Sequence, residues 1–316
     1  MELGVTYLTL GKNEQAQDIF ASLIKANPQD SFASAHLGFI LKSKATDQND
    51  LEMLAQSAQL LDSALKSGQA FEGLFYFHLG DAYRRLGDNV QADQVYQLGS
   101  LRGVFPSFWQ RSLYNEPGLQ AKPVWTLPES GIEADLERLR SHWQLIRDEA
   151  LSLYDEKNGG FFMDESENLK DVGYWGQFDL FVQGREVKKN CAKAKKTCQL
   201  INAIPEIRNC RRGQVKFSVM KSGTHVHAHS GPTNCRLRAH LGLQVPRSEP
   251  GNSNGTKLRV SDKFLTWADG EMFIFDDSFD HEVWHSNDQG LPRFVLIVDF
   301  WHPELSAEKR ASLPAI

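Results

Sequence analysis

The sequence predicts an α+β protein with two domains, in which a solenoid of helical repeats is followed by an all-β barrel or sandwich. The first observation is a Leu-Gly-x-x-Tyr motif at residues 3–7, which returns at residues 79–83 with matching flanking residues. The second is a change of pattern near residue 174, after which short apolar segments alternate with Gly, Pro and Asn turn signals. The chain has 316 residues, enough for two domains with buried cores.

Composition and charge exclude several functional classes. Hydrophobic residues make up 41% of the chain and charged residues 24%, as in a globular rather than a disordered protein. The net charge is −5 without a long basic run, so we expect neither nucleic acid nor an anionic membrane surface as a partner. No apolar stretch approaches the length of a membrane span. The amino terminus lacks signal-peptide features and starts inside a helical pattern, so a membrane anchor upstream of Met1 stays open.

Residues 1–102 carry a repeat with a period near 34 residues. Gly38 lies 34 residues after Gly4, and an insertion around residues 44–50 stretches the next interval, to Gly80, to 42. The pattern, with Ala, an aromatic residue and Pro after the motif, resembles the tetratricopeptide repeat. We expect the glycine to let two helices approach and the aromatic residue to fill the groove between them. The resemblance implies a concave face that grips a peptide or protein; a helical bundle without a binding role is the alternative.

The segment 103–128 links the two predicted domains. It contains several prolines with aromatic residues between them, among them Phe105 and Trp125. Because it is too aromatic for a loose linker, we expect it to pack the solenoid onto the second domain, residues 129–316. Residues 132–154 then show apolar side chains at helical spacing, which predicts one amphipathic helix that faces the core.

Short apolar segments bounded by turns predict the strands of the second domain. They are residues 177–183, 214–220, 235–245, 257–260, 272–275 and 294–300. In the third of these, Arg236, Arg238 and His240 share one face of the strand, and leucines and an alanine share the other. The cationic face either meets solvent or lines an anion pocket beside a metal.

Histidines concentrate in two segments of the second domain. Four of them, His225, His227, His229 and His240, lie within sixteen residues, and His281 follows a pair of aspartates in a later segment. Taken alone, any of these is more often a surface or core residue than a ligand. Clustered on two separate strands, each next to a turn, they predict a metal site.

Two features indicate a secretory compartment. Cys191 and Cys198 lie seven residues apart in a Lys-rich loop, and we expect a disulfide to close it. Asn254 begins an N-glycosylation sequon in a turn-rich stretch, where an acceptor would be exposed.

Four segments carry a resemblance to a known family. They are HAHSGPTNCRLRAHLGL from residue 227, GEMFIFDDSFDHEVWH from residue 270, RFVLIVDFWHPEL from residue 293 and the terminal SLPAI. Residues 125–316 resemble the catalytic domain of the aspartyl/asparaginyl β-hydroxylases. The resemblance implies a double-stranded β-helix, a jelly-roll or cupin-like fold, with Fe(II), 2-oxoglutarate as co-substrate and O2.

The resemblance also implies roles for individual residues. His229 and His281 match the iron-binding pair, and Gly231 stands where the usual H-x-D…H triad has its carboxylate. Arg293 matches the arginine that binds the distal carboxylate of 2-oxoglutarate, assisted by the hydroxyl of Ser218. The other matched positions are Trp175, His240 and Arg238, which the resemblance places in the lining of the co-substrate and substrate pocket. Arg238 is also a catalytic candidate.

Some of these positions have alternatives. Core packing explains Trp175 nearly as well as ligand contact does. His227 stays open as a further iron ligand, and Asp277 as a group that orients water. Lys216 and Arg238 are candidates for pairing with the carboxylate of a substrate.

The activity implied by the resemblance is Fe(II)- and 2-oxoglutarate-dependent β-hydroxylation of Asp or Asn in EGF-like domains. The expected location is the endoplasmic reticulum lumen, with EGF-like domain proteins gripped by the solenoid. One alternative keeps the oxygenase and replaces the protein substrate by a fatty-acyl group. Another is an inactive scaffold that binds partners through its repeats. A metal-binding cupin with hydrolase or isomerase activity comes last, because it gives Arg293 no special role.

Overall fold

The computed structural model describes residues 1–165, 168–246, 255–287 and 289–316, so Asn254 of the sequon lies outside the described residues. The chain forms two compact units, Met1–Leu113 and Tyr114–Ile316. The division falls inside the predicted linker, and its aromatic residues belong to separate cores. Phe105 is buried in the core of the first unit, and Trp125 in the core of the second. None of the described helices combines the length and apolar character needed to cross a membrane.

Helices that follow one another in pairs build the first unit. They are α1 (Glu2–Thr9), α2 (Asn13–Ala26), α3 (Ser31–Gln48), α4 (Leu51–Lys66), α5 (Gly73–Arg85) and α6 (Asn89–Leu101). Aspartate side chains at Asp30, Asp50 and Asp88 accept hydrogen bonds from the first turns of α3, α4 and α6 and so fix where these helices start. The insertion predicted near residues 44–50 lengthens α3, which has 18 residues.

In each helix pair, the glycine of the repeat motif faces a bulky side chain on the second helix. The facing residues are Gly4 and Phe20, Gly38 and Leu61, and Gly80 and Tyr96. A Cβ atom on Gly80 would lie 2.1 Å from the Tyr96 ring, so only glycine allows this approach. The predicted helical repeat is therefore confirmed, with leucine in place of the aromatic residue in the middle pair.

The second unit combines short helices with two antiparallel sheets. Its helices are α7 (Glu133–Ser141), α8 (Trp143–Ser152), α9 (Lys188–Cys191), α10 (Lys195–Asn202), α11 (Pro205–Arg208) and α12 (Ala307–Ser312), with a 3-10 turn at Pro128–Ser130. Its strands are β1 (Val124–Trp125), β2 (Met163–Asp164), β3 (Lys170–Val172), β4 (Trp175–Val182), β5 (Arg185–Glu186), β6 (Gln214–Met220), β7 (Thr224–His229), β8 (Arg236–Gln244), β9 (Lys257–Val260), β10 (Lys263–Leu265), β11 (Met272–Phe275), β12 (His281–His285) and β13 (Arg293–Trp301).

The two sheets define the architecture of this unit. Within the described residues, the larger sheet has the order β1-β11-β8-β13-β6-β4-β2, with β5 paired to β4, and the smaller has the order β10-β9-β12-β7-β3. Strands distant in sequence lie side by side in both sheets, as in a jelly roll. The predicted jelly-roll fold is confirmed, and each of the six predicted strands occurs with ends shifted by two residues or fewer.

The predicted single helix over residues 132–154 is wrong, because the structure breaks it into α7 and α8 at His142. The carbonyl of Arg138 accepts hydrogen bonds from the Ser141 hydroxyl and from Nδ1 of His142, each at 2.8 Å. The His142 amide turns instead to the carbonyl of Leu139 at 3.1 Å. Side chains thus compete with the helical hydrogen bond at this point. The apolar stripe is nevertheless core, as predicted, with Leu136 and Ile146 fully buried.

Strand β8 carries the alternation predicted from the sequence. Leu237, Ala239 and Leu241 are fully buried in the core that includes α7 and α8. The opposite face holds Arg236 and His240, which are also buried, so the solvent-facing alternative for this cationic face is wrong.

The predicted disulfide between Cys191 and Cys198 is confirmed. It joins α9 to α10 beside strand β4. Both sulfurs are buried, and the short covalent loop restricts the unfolded chain in a stretch otherwise rich in lysine.

Candidate active site

The structure brings all of the predicted site residues to one cavity between the two sheets. They are Trp175, Ser218, His229, Arg238, His240, His281 and Arg293. The remaining lining is apolar and consists of Met220, Val226, Leu258, Phe275, Val283 and Ile297. The two histidines come from the smaller sheet, and the other predicted residues come from the larger one. An apolar chamber with a few convergent polar groups is the usual form of a small-molecule site.

A β-bulge decides which histidine of β7 reaches the cavity. Strict alternation would place His225, His227 and His229 on one face of the strand. The register against β12 shifts, however, because Val226 pairs with Val283 whereas His229 pairs with His281. The extra residue on β7 turns His229 to the face that carries Val226. His229 therefore lines the cavity, and His225 and His227 remain on the outer face of the sheet.

His229 and His281 form a preorganised pair. Their ring centroids lie 4.1 Å apart. Nδ1 of His229 lies 2.7 Å from the carbonyl oxygen of His227, and Nδ1 of His281 lies 2.8 Å from that of Phe279. Because a carbonyl only accepts, each Nδ1 carries the proton, and each Nε2 presents a lone pair.

Burial and the neighbouring His229 lower the pKa of His281 to about 3, so its imidazole is neutral at physiological pH. A neutral imidazole whose second nitrogen donates to a carbonyl is a typical metal ligand. The pair therefore fits a divalent transition metal such as Fe(II), with coordination positions left for small molecules.

Gly231 lacks a side chain because Asp277 fills the adjacent space. A Cβ atom on Gly231 would lie 2.5 Å from Oδ2 of Asp277, and the Gly231 amide donates to the Asp277 carbonyl at 2.6 Å. The carboxylate of the usual triad therefore has no room at position 231. Burial alone would raise the pKa of Asp277, but Arg236 and Arg238 outweigh it and hold this pKa well below the usual range. Asp277 thus stays ionised and faces these two guanidinium groups.

Arg238 is held in an ion-pair network at the edge of the cavity. It donates from Nε to Oδ1 of Asp299 at 2.7 Å and from Nη2 to Oδ2 at 2.9 Å. Its Nη1 lies 3.3 Å from Asp277, and Arg236 contacts the same two aspartates at 2.6 and 3.2 Å. Two arginines and two aspartates balance in charge. This arrangement does not favour Arg238 as a receptor for a further carboxylate, so that role stays a prediction.

Arg293 is a cation without such a counterion among the described residues. Its side chain is 1% exposed, and neither Nε nor Nη1 has a hydrogen-bond partner in the described part of the chain. Burial lowers the pKa of Arg293 to about 9, which leaves the group cationic at neutral pH. A buried cation with two free donors is costly unless an anion binds there. Its planar donors fit a carboxylate in bidentate geometry.

Trp267 was not predicted from the sequence, yet it contacts two site residues. The guanidinium of Arg293 lies 4.2 Å from the centroid of its indole. Its Nε1 donates to Nδ1 of His240 at 3.2 Å. Trp267 follows β10 in a turn-rich stretch, where no periodic pattern marks it as functional. It stabilises the cation through its ring face and fixes the His240 ring.

The remaining predicted residues adjoin these groups. Nε1 of Trp175 donates to Oγ of Ser218 at 3.0 Å, so Trp175 orients the hydroxyl as well as packing in the core. Nε2 of His240 is buried without a hydrogen-bond partner among the described residues. Burial, followed by Arg238 and Arg293, holds the pKa of His240 well below its ordinary value. Lys216 does not line the cavity, and its ammonium donates to the side chain of Gln177.

Fold and site together define a jelly-roll domain with a candidate metal centre, joined to a helical repeat domain. A sequence model described as "Aspartyl/Asparaginyl beta-hydroxylase" matches residues 140–303, and one described as "Tetratricopeptide repeat" matches residues 1–30. The chain therefore belongs to the aspartyl/asparaginyl beta-hydroxylase family.

Similar proteins agree with this membership. The chain is 47% identical over 317 residues to "Aspartyl/asparaginyl beta-hydroxylase" of Homo sapiens, a match that covers 100% of this chain and 40% of that protein. It is 35% identical over 219 residues to "Aspartate beta-hydroxylase domain-containing protein 2" of Mus musculus, covering 65% of this chain and 62% of that protein. The chain thus spans 40% of the length of the first relative.

Among solved structures, the chain is similar to a 2OG-Fe(II) oxygenase family oxidoreductase from Burkholderia pseudomallei. The match covers 61% of this chain and 97% of that chain. Its TM-score of 0.37 and its 11% sequence identity are too low to support an argument.

Proposed function

We propose that this chain catalyses Fe(II)- and 2-oxoglutarate-dependent β-hydroxylation of Asp and Asn residues in proteins. The observation that carries the proposal is that one cavity holds two preorganised histidines and the buried Arg293, whose charge no described residue compensates. The histidines supply a metal centre, and Arg293 supplies the cation that a dicarboxylate co-substrate needs. The name of the similar human protein supports the hydroxylase activity and the aspartyl or asparaginyl substrate.

In this mechanism His229 and His281 hold Fe(II) through their Nε2 atoms. The iron, with 2-oxoglutarate and O2, supplies the oxidation that hydroxylates the substrate carbon. Arg293 binds the distal carboxylate of 2-oxoglutarate, with the Ser218 hydroxyl as a second donor. The indole of Trp267 supports Arg293 from the ring face. Apolar residues such as Phe275 line the space between the histidine pair and Arg293 and exclude water from it.

The neighbouring charges keep this chamber in shape. Arg236 and Arg238 hold Asp277 and Asp299 in fixed positions, and Asp277 in turn holds the backbone at Gly231. The carboxylate of Asp277 therefore occupies the space beside Gly231, where the usual triad would place the side chain of its own carboxylate residue. Whether Arg238 also touches the substrate is part of the proposal.

For the substrate we propose EGF-like domains of proteins in the secretory pathway, acting in the endoplasmic reticulum lumen. The Cys191–Cys198 disulfide supports an oxidising compartment. The helical repeats support a protein rather than a lipid substrate, since such repeats commonly bind peptides.

The test is mass spectrometry of an EGF-like peptide incubated with the purified chain, Fe(II), 2-oxoglutarate and air. We expect one added oxygen on Asp or Asn, lost when 2-oxoglutarate is omitted and lost in His229→Ala. The exposed His142, changed to Ala, provides the matched control and should retain turnover. If succinate forms but the peptide is not modified, the proposed substrate is wrong and the proposed oxygenase activity still stands. Absence of both products, with iron bound, would leave an inactive repeat scaffold as the better account.

A further inference from the structure

A second group of metal-ligating side chains lies outside the cavity. Asp171 on β3 and His225 and His227 on β7 place potential ligand atoms within 4.8 Å of one another. The two histidines are separated by one residue on the same strand, and β3 is hydrogen-bonded to β7 at this point. The bulge that turns His229 inward leaves these two rings on the outer face of the smaller sheet. All three side chains reach solvent.

The surroundings of His225 indicate a cation. Its Nδ1 lies 2.8 Å from Oδ2 of Asp171, and its Nε2 lies 2.9 Å from Oε1 of Glu282. Carboxylates only accept hydrogen bonds, so a neutral imidazole satisfies one of them and leaves a lone pair facing the other. Two species resolve this conflict: an imidazolium with both protons, or a neutral imidazole with a metal ion in place of the Nδ1 proton.

Neighbouring residues hold the His225 ring in the position that a metal ligand needs. Glu282 accepts from Nε2 of His225 and is itself held by Arg259, whose Nη2 lies 3.0 Å from Oε2 of Glu282. A carboxylate behind a ligating histidine fixes the ring and raises its basicity as a ligand. The indole of Trp284 stacks on the same ring, with centroids 5.5 Å apart and an interplanar angle of 18°. His227 completes the group, with Nε2 3.5 Å from Oδ1 of Asp171.

We propose that Asp171, His225 and His227 form a second metal site, suited to Zn²⁺, on the outer face of the smaller sheet. Two imidazoles and a carboxylate, with water as fourth ligand, are a common zinc set. At such nitrogen and oxygen donors Zn²⁺ binds more tightly than Fe(II). The site faces solvent, and the cavity described above is lined by none of its three residues, so it binds a metal separately from that cavity. The ion would also tie the short strand β3 to β7.

Zinc titration by calorimetry tests the proposal in a background that lacks the cavity ligands. In His229→Ala/His281→Ala we expect about one Zn²⁺ per chain to bind saturably. Adding Asp171→Asn and His227→Ala should abolish this binding. The matched control, His142→Ala with Asp262→Asn, removes an exposed histidine and an exposed aspartate elsewhere and should leave it intact. Glu282→Gln should weaken it about tenfold, as for an outer carboxylate.

Two outcomes would overturn the site. One is a lack of saturable zinc binding in the background variant when circular dichroism shows it folded. The other is binding that survives Asp171→Asn/His227→Ala. If the background variant does not fold, the titration is done instead on chains that keep His229 and His281. Wild type should then bind about one Zn²⁺ more than Asp171→Asn/His227→Ala, and equal stoichiometry would reject the proposal. Neither comparison depends on hydroxylase activity.

Discussion

Two arginines face the same cavity from the larger sheet, and they differ in their partners. Arg238 forms a bidentate pair with Asp299 and also contacts Asp277. Arg293 lies beside the apolar face of Trp267, with two of its nitrogen atoms unbonded within the described residues. Both are cations of one residue type on neighbouring strands, and the side chain of Arg293 is buried whereas that of Arg238 is 12% exposed.

The difference is between a cation paired within the fold and a cation placed to receive an anion, which is the role we propose for Arg293. The charge of Arg238 is compensated within the fold, so removing it leaves two buried aspartates beside the single charge of Arg236. The charge of Arg293 is not compensated by the described residues, so the fold carries a desolvation cost that an incoming anion offsets. Three predictions follow from this contrast in charge pairing.

The largest effect is expected for Arg238→Met, measured as the free energy of unfolding in urea. The variant leaves Asp299 buried and without its bidentate partner, and we expect a loss of about 3–5 kcal/mol. The matched substitution Arg293→Met leaves no buried charge unpaired, so its stability should be unchanged or higher. The double variant Arg238→Met/Asp299→Asn should recover about 1–3 kcal/mol relative to Arg238→Met. Equal losses in the two single variants would contradict the contrast.

The next effect concerns 2-oxoglutarate and Arg293→Met. The variant loses a bidentate, charge-assisted pair, so we expect affinity for 2-oxoglutarate to fall on the order of a hundredfold or more. Arg293→Lys keeps the charge without the planar fork and should fall between wild type and Arg293→Met. Calorimetric titration with Mn²⁺ in place of iron measures the affinity without turnover. Unaltered affinity in Arg293→Met would remove this residue from the site.

The smallest effect is expected for Trp267→Phe. Phenylalanine keeps an aromatic face beside Arg293 and removes the hydrogen bond from Nε1 to His240. The loss should be about 0.5–1.5 kcal/mol, or roughly twofold to thirteenfold in affinity for 2-oxoglutarate. Trp267→Ala removes the ring as well and should cost more in the same titration. If Trp267→Ala matches wild type, the tryptophan does not support Arg293.

Much of the fold could be predicted because the signals are local. The repeat glycines are read from spacing, and the structure shows why only glycine fits at Gly4 and Gly80. The strands follow from apolar runs between turns, since alternation and turn residues act over a few positions. The helix over residues 132–154 was predicted too long, because side-chain hydrogen bonds at His142 compete with the backbone.

The site, too, has features that could be predicted from the sequence and features that could not. The resemblance of the motifs predicts which histidines and which arginine meet, and the structure brings them to one cavity. Spacing along β7 gives the wrong face for His229, because the bulge depends on pairing with β12, more than fifty residues away. Trp267 has no signal in the sequence, since its role rests on contacts with His240 and Arg293 from other strands.

By itself, the sequence determined the helical repeats, the strands, the Cys191–Cys198 disulfide and the chemical types at the site. Only the tertiary structure decided which charges are paired. Arg238 and Arg293 are the same residue type on adjacent strands, and one of them meets Asp299 whereas the other meets an indole. The same holds for Gly231, whose missing side chain is explained by the carboxylate of Asp277. Electrostatic partners come from packing between distant strands, and no local pattern in the chain encodes that packing.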